Sequence, residues 1–266
     1  MIFFVLPLYN EEQGLPALLE KISQTCHGRN LPFHVIAVND GSSDRTLDLL
    51  HAWSPQTALT VMNHKINRGL GETIRDGFEI AAEMSAPADI IVRMDGDNTH
   101  EPSYILAMID KIQEGYDVVI ASRFQPGGGM RGVSSYRGFI SRCANLFMKL
   151  LFPIDGVWEY SCGFRAYRAS IIQKAISLFG NLFIDLKGLG FTCTVEKIIK
   201  LRMLHARMTE IPFVLRYDQK ENSSKMVTNI TTLGYLVLAL KNIYPWGRHG
   251  KILKREAQRL SQISSS

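Results

Sequence analysis

Cysteine is scarce: four residues in 266, at positions 26, 143, 162 and 193, with no CxxC pair and no metal-finger spacing. That excludes a disulfide-stapled scaffold and a thiolate zinc centre, and it suits reduced thiols in a cytosolic protein. Long hydrophobic runs are lacking as well. No stretch reaches the roughly 18 uninterrupted apolar residues of a transmembrane candidate. The opening MIFFVLPLYNEE turns polar at Asn10 and has neither a basic leader nor a small-residue cleavage site. It reads as a first strand, not a signal peptide. Charge of one sign is not in large excess, since 30 Lys+Arg against 25 Asp+Glu leaves +5. That mild surplus is not the profile of a nucleic-acid binder, and it suits a phosphate-bearing ligand or an anionic membrane surface. Repeats and linkers are missing too. The expected organisation is one main domain, 1–225, followed by a C-terminal amphipathic helix and basic tail, 226–266.

What is present is alternation. IFFVLPLY, FHVIAVN, ALTVMN, DIIVRMD and DVVIASR are strand-like, and segments of helical spacing lie between them. Such alternation predicts an α/β fold with a mostly parallel sheet, helices on both faces and ligands at the carboxyl ends of the strands. Polar residues cluster at those ends: Tyr9-Asn10-Glu11, Asn39-Asp40-Gly41-Ser42, Asp95-Gly96-Asp97 and Ser122-Arg123. Beyond residue 123 the pattern changes. QPGGGMRGVSSYR reads as a Gly-rich basic loop, and GVWEYSCGFRAYR as irregular. GFISRCANLFMKLLF, TCTVEKIIKLRML and MVTNITTLGYLVLALKNIY read as helices, and RMTEIPFVLRY as a strand.

The segment MDGDNTHEP admits three readings. Asp95 and Asp97 could hold Mg²⁺ or Mn²⁺ and through it a diphosphate, because hard cations take oxygen ligands. The pattern D-x-D-x-T could instead belong to a phosphatase with Asp95 as nucleophile and Asp97 as acid/base. Or Asp97 and Asn98 could simply make a turn. A phosphatase needs a second acidic pair after a later strand, and DVVIASR ends in Ser122-Arg123.

VLPLYNEEQGLPALL, VIAVNDGSSDRTLDLL, NRGLGETIRDGFEIA, IIVRMDGDNTHEPSYI and VIASRF stand in the order and spacing of family 2 glycosyltransferases of the GT-A fold. The later pieces GGGMRGVSSYRGFISRCANLFMKLL, SCGFRAYR and SSK resemble the dolichyl-phosphate mannosyltransferase and polyprenyl-phosphate glycosyltransferase branch. The resemblance implies a metal-dependent, inverting transfer of a hexose from a nucleotide sugar to a polyprenyl or dolichyl phosphate. GDP-mannose is the preferred donor, and the enzyme would sit peripherally on the cytosolic face of a membrane. It implies that Pro7, Tyr9, Asn10, Glu11, Asp40, Gly69 and Asp95 bind the nucleotide. Asp95, Asp97 and Thr99 would be the metal site, and Arg123, Arg137 and Lys225 would hold the acceptor phosphate, with Arg131 in the Gly-rich loop as an extra candidate. Three positions depart from the branch: Asn39 replaces an aspartate, Thr99 a Gln or Ser, and Glu159 an aspartate.

A lipid phosphate is largely ionised near pH 7 and needs cations, not a base. A hydroxyl acceptor on a surface glycan would need one, with Glu159 or Asp155 as the candidate. The sequence leaves open a UDP-sugar donor, a hydroxyl acceptor and an inactive nucleotide-sugar-binding scaffold. The helices at 138–152 and 226–243 are too short or interrupted to cross a bilayer. They could lie in its interface, pack in the core or form a dimer face.

Overall fold

A computed structural model describes residues 1–53, 58–220 and 228–242, together with Arg255. Seven strands form the main sheet in the order β3-β2-β1-β4-β7-β5-β8. They are β1 (Ile2–Leu8), β2 (Phe33–Asn39), β3 (Leu59–Asn63), β4 (Ile90–Arg93), β5 (Val118–Ser122), β7 (Arg165–Arg168) and β8 (Met208–Pro212). Among the described residues, all neighbouring pairs are parallel except those of β7, which runs antiparallel to both β4 and β5. A second, two-stranded parallel sheet joins β6 (Gly129–Arg131) to β9 (Val214–Arg216).

The sheet is covered on both faces, as its near-continuous apolar strands require. Alternation along β1 shows how. Phe3 and Val5 enter one core with Ile36, Phe78 and Ile172, whereas Ile2, Phe4, Leu6 and Leu8 enter the other with Leu18, Ile22 and Ile109. The first core lies under α3 (Leu70–Met84), α6 (Ala169–Phe179) and α7 (Thr192–Met203), the second under α1 (Leu15–His27) and α4 (Ile105–Gln113).

The five early strands stand where alternation predicts them, and their carboxyl ends share one edge. Two features differ from expectation. RAYR is a buried strand, not an irregular segment: four residues with an arginine at each end look like a loop, yet Arg165 is 0 % exposed. The Gly-rich segment contributes β6, because Gly129 donates its N–H to Phe213 and the ladder to β9 follows.

The two apolar helices have unusual faces. The helix α5 (Ser135–Leu151) buries only Gly138, Asn145 and Met148. Tyr136, Phe139, Ile140, Leu146, Phe147 and Leu150 are exposed, and Phe139 is 63 % so. Their spacing is helical, so they form one stripe. The helix α8 (Thr228–Asn242) buries Thr231, Tyr235 and Leu238 and exposes Ile230, Leu233, Leu236 and Leu240. Among the described residues no helix is long and apolar enough to cross a membrane.

Candidate active site

A cavity of about 1100 Å³ opens at the strand ends and continues between α5 and α8. Pro7, Tyr9, Glu11, Asp40 and Gly69 line one end, Asp95, Asp97, Thr99, Arg123 and Arg137 its middle. Val133, Ile140, Phe147, Ile230 and Leu236 line the other end.

At the first end the loops after β1 and β2 are stitched together. Asn10 sits at φ 52, where its short polar side chain is tolerated. Its Oδ1 accepts from Ser43 N at 2.8 Å, and its own N–H donates to Ser42 Oγ at 2.9 Å. Asn10 therefore shapes the loop and does not line the cavity. Asp44 accepts from Thr46 N at 2.9 Å and so opens α2 (Thr46–Trp53). Asn39 is 1 % exposed and donates to Asn63 Oδ1 at 2.7 Å. It ties β2 to β3 and lies away from the cavity.

Asp40 is 3 % exposed and heavily engaged. It accepts from Arg68 N at 2.8 Å and Gly69 N at 2.9 Å, and His64 Nδ1 lies 2.7 Å from Oδ1. His64 Nε2 continues to Asp76 Oδ2 at 3.0 Å, and Asp76 also accepts from Arg75 at 2.8 Å. The N–H of Gly69, an expected nucleotide ligand, is thus donated to Asp40. Gly69 itself is required by φ 91. Arg75 and Asp76 belong to this network, not to the cavity wall.

The carboxylate pair stands at the end of β4. Gly96 between them is dictated by packing, since a Cβ there would meet Leu8 Cδ2 at 2.2 Å. Asp95 pairs with the buried Arg93, Nη2 to Oδ1 at 2.5 Å. Arg93 reaches it by passing over Gly163, where a Cβ would lie 1.2 Å from Nη1. Asp97 Oδ1 accepts from Thr99 Oγ1 at 2.7 Å and Thr99 N at 3.2 Å, and Oδ2 accepts from Lys220 Nζ. Burial raises the Asp97 carboxyl, but Lys220, His100 and the Thr99 hydrogen bond outweigh it and hold it below the usual carboxylate range. His100 accepts from Asp95 N at 3.1 Å and stacks on Phe164 at 5.1 Å. Burial pushes its pKa down, and its bond to Asp95 N orients the loop.

Two carboxylates and a threonine hydroxyl form an all-oxygen donor set that fits Mg²⁺ or Mn²⁺. Among the described residues no cluster of three or more His, Cys, Asp or Glu could hold a metal by itself. Substrate phosphates would have to complete such a site, the usual arrangement for Mg²⁺.

Arg123 directly follows β5 and faces the cavity, its side chain 11 % exposed. Its Nε donates to Glu159 Oε2 at 2.7 Å and its Nη2 to Glu159 Oε1 at 2.8 Å and Ser161 Oγ at 2.7 Å. Glu159 is 0 % exposed and also accepts from Ser161 N and Cys162 N. Burial raises its pKa, and Arg123 more than reverses this. A carboxylate so enclosed has no path to an acceptor hydroxyl. The expected base is instead the buried counter-ion that sets Arg123. Asp155, the other base candidate, is exposed and off the cavity.

The remaining basic candidates divide. Arg137, on the first turn of α5, lines the cavity with its guanidinium 5.5 Å from the Tyr217 ring. Arg131 does not line it. Alternation along β6 puts Met130 on the cavity side and leaves Arg131 exposed on the rim, which corrects its expected place. Lys225 lies outside the described residues. Arg165 donates to Thr194 O and Tyr160 O, both at 2.7 Å, and Arg168 to Ile112 O, so both serve the scaffold.

Sequence reasoning passed over Lys187, Lys220, Glu210 and Asn145. Lys187 reaches the cavity and pairs with Glu72 at 3.1 Å. Glu210 accepts from the N–H groups of Trp158 and Glu159 at 2.6 and 2.5 Å, and Asn145 from Tyr160 N at 2.6 Å. These two hold the loop that carries Glu159. A glutamate in the middle of a strand and an asparagine inside an apolar helix are local anomalies that could have flagged them.

The glycosyl transferase family 2 profile matches residues 3–176. The chain is 30 % identical over 209 residues to an undecaprenyl-phosphate 4-deoxy-4-formamido-L-arabinose transferase of Pseudomonas paraeruginosa, covering 77 % of this chain and 58 % of that protein. It is 28 % identical over 210 residues to a dolichol-phosphate mannosyltransferase of Pyrococcus furiosus, covering 79 % and 54 %. It is 30 % identical over 172 residues to a polyprenol monophosphomannose synthase of Mycolicibacterium smegmatis, covering 64 % and 62 %. The chain thus spans a little over half the length of these curated relatives. Glucosyl-3-phosphoglycerate synthase from Mycobacterium tuberculosis, solved with Mn²⁺, UDP and glucosyl-3-phosphoglycerate, superposes with a TM-score of 0.59 at 18 % identity, covering 91 % of this chain and 78 % of that one. S. aureus TarS 1–349 superposes at 0.55 and 15 % identity, covering 97 % and 70 %. At these identities the likeness is one of fold: a GT-A-like mostly parallel α/β sheet.

Proposed function

The chain belongs to glycosyl transferase family 2, and from that premise we propose that it moves a hexose from a nucleotide sugar to a polyprenyl phosphate at a membrane surface. The carrying observation is the continuity of one cavity. It runs from two carboxylates, past Arg123 and Arg137, to an apolar end between α5 and α8. A diphosphate, an acceptor phosphate and the first part of a hydrocarbon chain meet complementary walls in that order.

Asp97, with Asp95 beside it, would hold Mg²⁺ or Mn²⁺, which would supply charge to the departing diphosphate. The rest falls to the chain's own side chains. Arg123, fixed by Glu159, holds Nη1 against the cavity-lining Met130 Sδ at 3.8 Å, where an acceptor oxygen would replace the weak sulfur partner, and Arg137 adds a second fork. An ionised phosphate needs no proton removed, which agrees with Glu159 being enclosed. That agreement favours a phosphate over a hydroxyl acceptor. The phosphatase reading has no support in this family.

The exposed stripes of α5 and α8 would rest on the membrane on its cytosolic side, with the exposed Arg142 near lipid phosphates. Mannose from GDP-mannose is the donor we favour. Two relatives bear mannose in their names, which supports that choice.

The test is radiolabelled sugar transfer into the organic phase with Mn²⁺ and polyprenyl phosphate. GDP-mannose, UDP-glucose and UDP-GlcNAc are supplied in parallel. Label from GDP-mannose, lost on chelation, is the expected result. Label from a UDP-sugar changes the donor. Metal-dependent donor binding with no lipid label in any arm overturns the lipid acceptor, and donor binding with no turnover on any donor or acceptor leaves a binding scaffold.

A further inference from the structure

Both carboxylates of the MDGDN loop carry a cation supplied by this chain, and the two cations differ in origin. Arg93 rises from the middle of the sheet, is 0 % exposed and is locked over Gly163. Lys220 comes from the rim. It follows β9 and a 3₁₀ turn, Tyr217–Gln219, and its N–H bonds back to Tyr217 O at 3.2 Å. Just before the turn, at the end of β9, Arg216 N donates to Thr99 O in the carboxylate loop at 3.1 Å. The ammonium lies on Asp97 Oδ2 and 5.4 Å from the Tyr217 ring. The side chains of Lys220 and Asp97 are 10 % and 11 % exposed.

Asp97 Oδ1 is already taken by Thr99, so Oδ2 is the oxygen with room for a metal. An ammonium and a divalent cation compete for it, because like charges brought to one oxygen repel. Arg93 cannot yield, because leaving Asp95 would strand a buried guanidinium without a partner. Lys220 can, because its four-carbon stem starts at the rim and a short turn leads to it.

We propose that Lys220 is a built-in competitor for the divalent cation at Asp97, displaced as the cation binds. This deepens the reading above and rests on it. The competition lowers the affinity of the protein for metal alone. A phosphate-bearing donor relieves it, because phosphate oxygens offer the released ammonium another anionic partner. Lys220 is then a positioning residue that ties metal occupancy to the donor.

The experiment is Mn²⁺ titration of the full chain without nucleotide, read by electron paramagnetic resonance of free Mn²⁺. Wild type is compared with Lys220→Gln, Lys220→Met, Lys220→Arg and Asp97→Asn. Thermal melting checks that each variant is folded. Expected is a tenfold or greater gain in Mn²⁺ affinity for Lys220→Gln and Lys220→Met, about 1.4 kcal/mol. Lys220→Arg, which keeps the charge, stays within about threefold of wild type on the same conversion. Asp97→Asn abolishes binding. Equal affinity in wild type, Lys220→Gln and Lys220→Met, with Asp97→Asn still abolishing binding, overturns the competitor and leaves the cation site standing. Absence of Mn²⁺ binding in every variant, even with GDP or UDP added, overturns the cation site and the competitor together.

Discussion

Asp40, in the strand-end half of the cavity, is 3 % exposed and is engaged by Arg68, Gly69 and His64. Phe139, on α5 in the helical half, is 63 % exposed. The pair stands for two ways of building a site. Around Asp40 each polar group is fixed by another, from Asn10 with Ser42 and Ser43 to His64 with Asp76. That half is preorganised by the protein alone, as small polar substrates require. On α5 and α8 the geometry is set by the few inward residues, and the outer stripes carry apolar surface that water does not favour. The helical half is complete only against something apolar. Arg123 stands at the junction, held by Glu159 on one side and facing the cavity on the other.

The comparison can be broken most forcefully at that junction. Glu159→Ala leaves Arg123 buried without its partner and should cost about 3–5 kcal/mol, seen as a fall in Tm. The pH dependence has a definite sign. A depressed carboxylate pKa contributes stability above the unfolded glutamate value, and loses it as pH falls through the folded one. Wild-type stability should therefore decline on acidification from the ordinary glutamate range downward, and Glu159→Gln should flatten that slope.

Asp97→Ala removes the carboxylate with room for a cation. Transfer should drop by about 10²–10³-fold with the fold intact by circular dichroism, the scale of losing one electrostatic stabiliser of the leaving charge. Unchanged turnover would remove Asp97 from the reaction.

The helical half should respond in the opposite way. Phe139→Asp with Leu150→Asp exposes no core, so Tm should move little. Each side chain withdrawn from lipid forfeits about 1.5–3 kcal/mol, so vesicle co-sedimentation should fall at least tenfold. A fall in Tm with unchanged vesicle binding would assign the stripe to packing.

Gly163→Ala tests the scaffold beneath Asp95. The added Cβ collides with Arg93 and should cost about 1–3 kcal/mol. Arg131→Ala should be the mildest, within about 0.5 kcal/mol and without change in acceptor use, because the residue is exposed and off the cavity wall.

The strand-end half was legible in the sequence because its signals are local. A strand of apolar residues ending in Asp-Gly-Asp, or in Asn-Asp-Gly-Ser, announces both its element and its site within a few positions. The parallel sheet followed from alternation for the same reason. The later half was less legible. RAYR looked like a loop because four residues give alternation too little length, and because burial of Arg165 depends on carbonyls of Thr194 and Tyr160. Glu159 looked like a base because its partner is 36 residues away in the chain. Arg131 looked like an acceptor ligand because β6, which turns it outward, exists only by pairing with β9.

Sequence by itself determined the α/β class, the common edge of the strand ends and the carboxylate pair, since period, turn chemistry and motif spacing are properties of neighbours in the chain. Tertiary structure alone decided which cation meets which carboxylate: Arg93 on Asp95, Lys220 on Asp97, Arg123 on Glu159. Charge pairing acts over a few ångströms in space, and only the folded chain brings residues 97 and 220 within that reach.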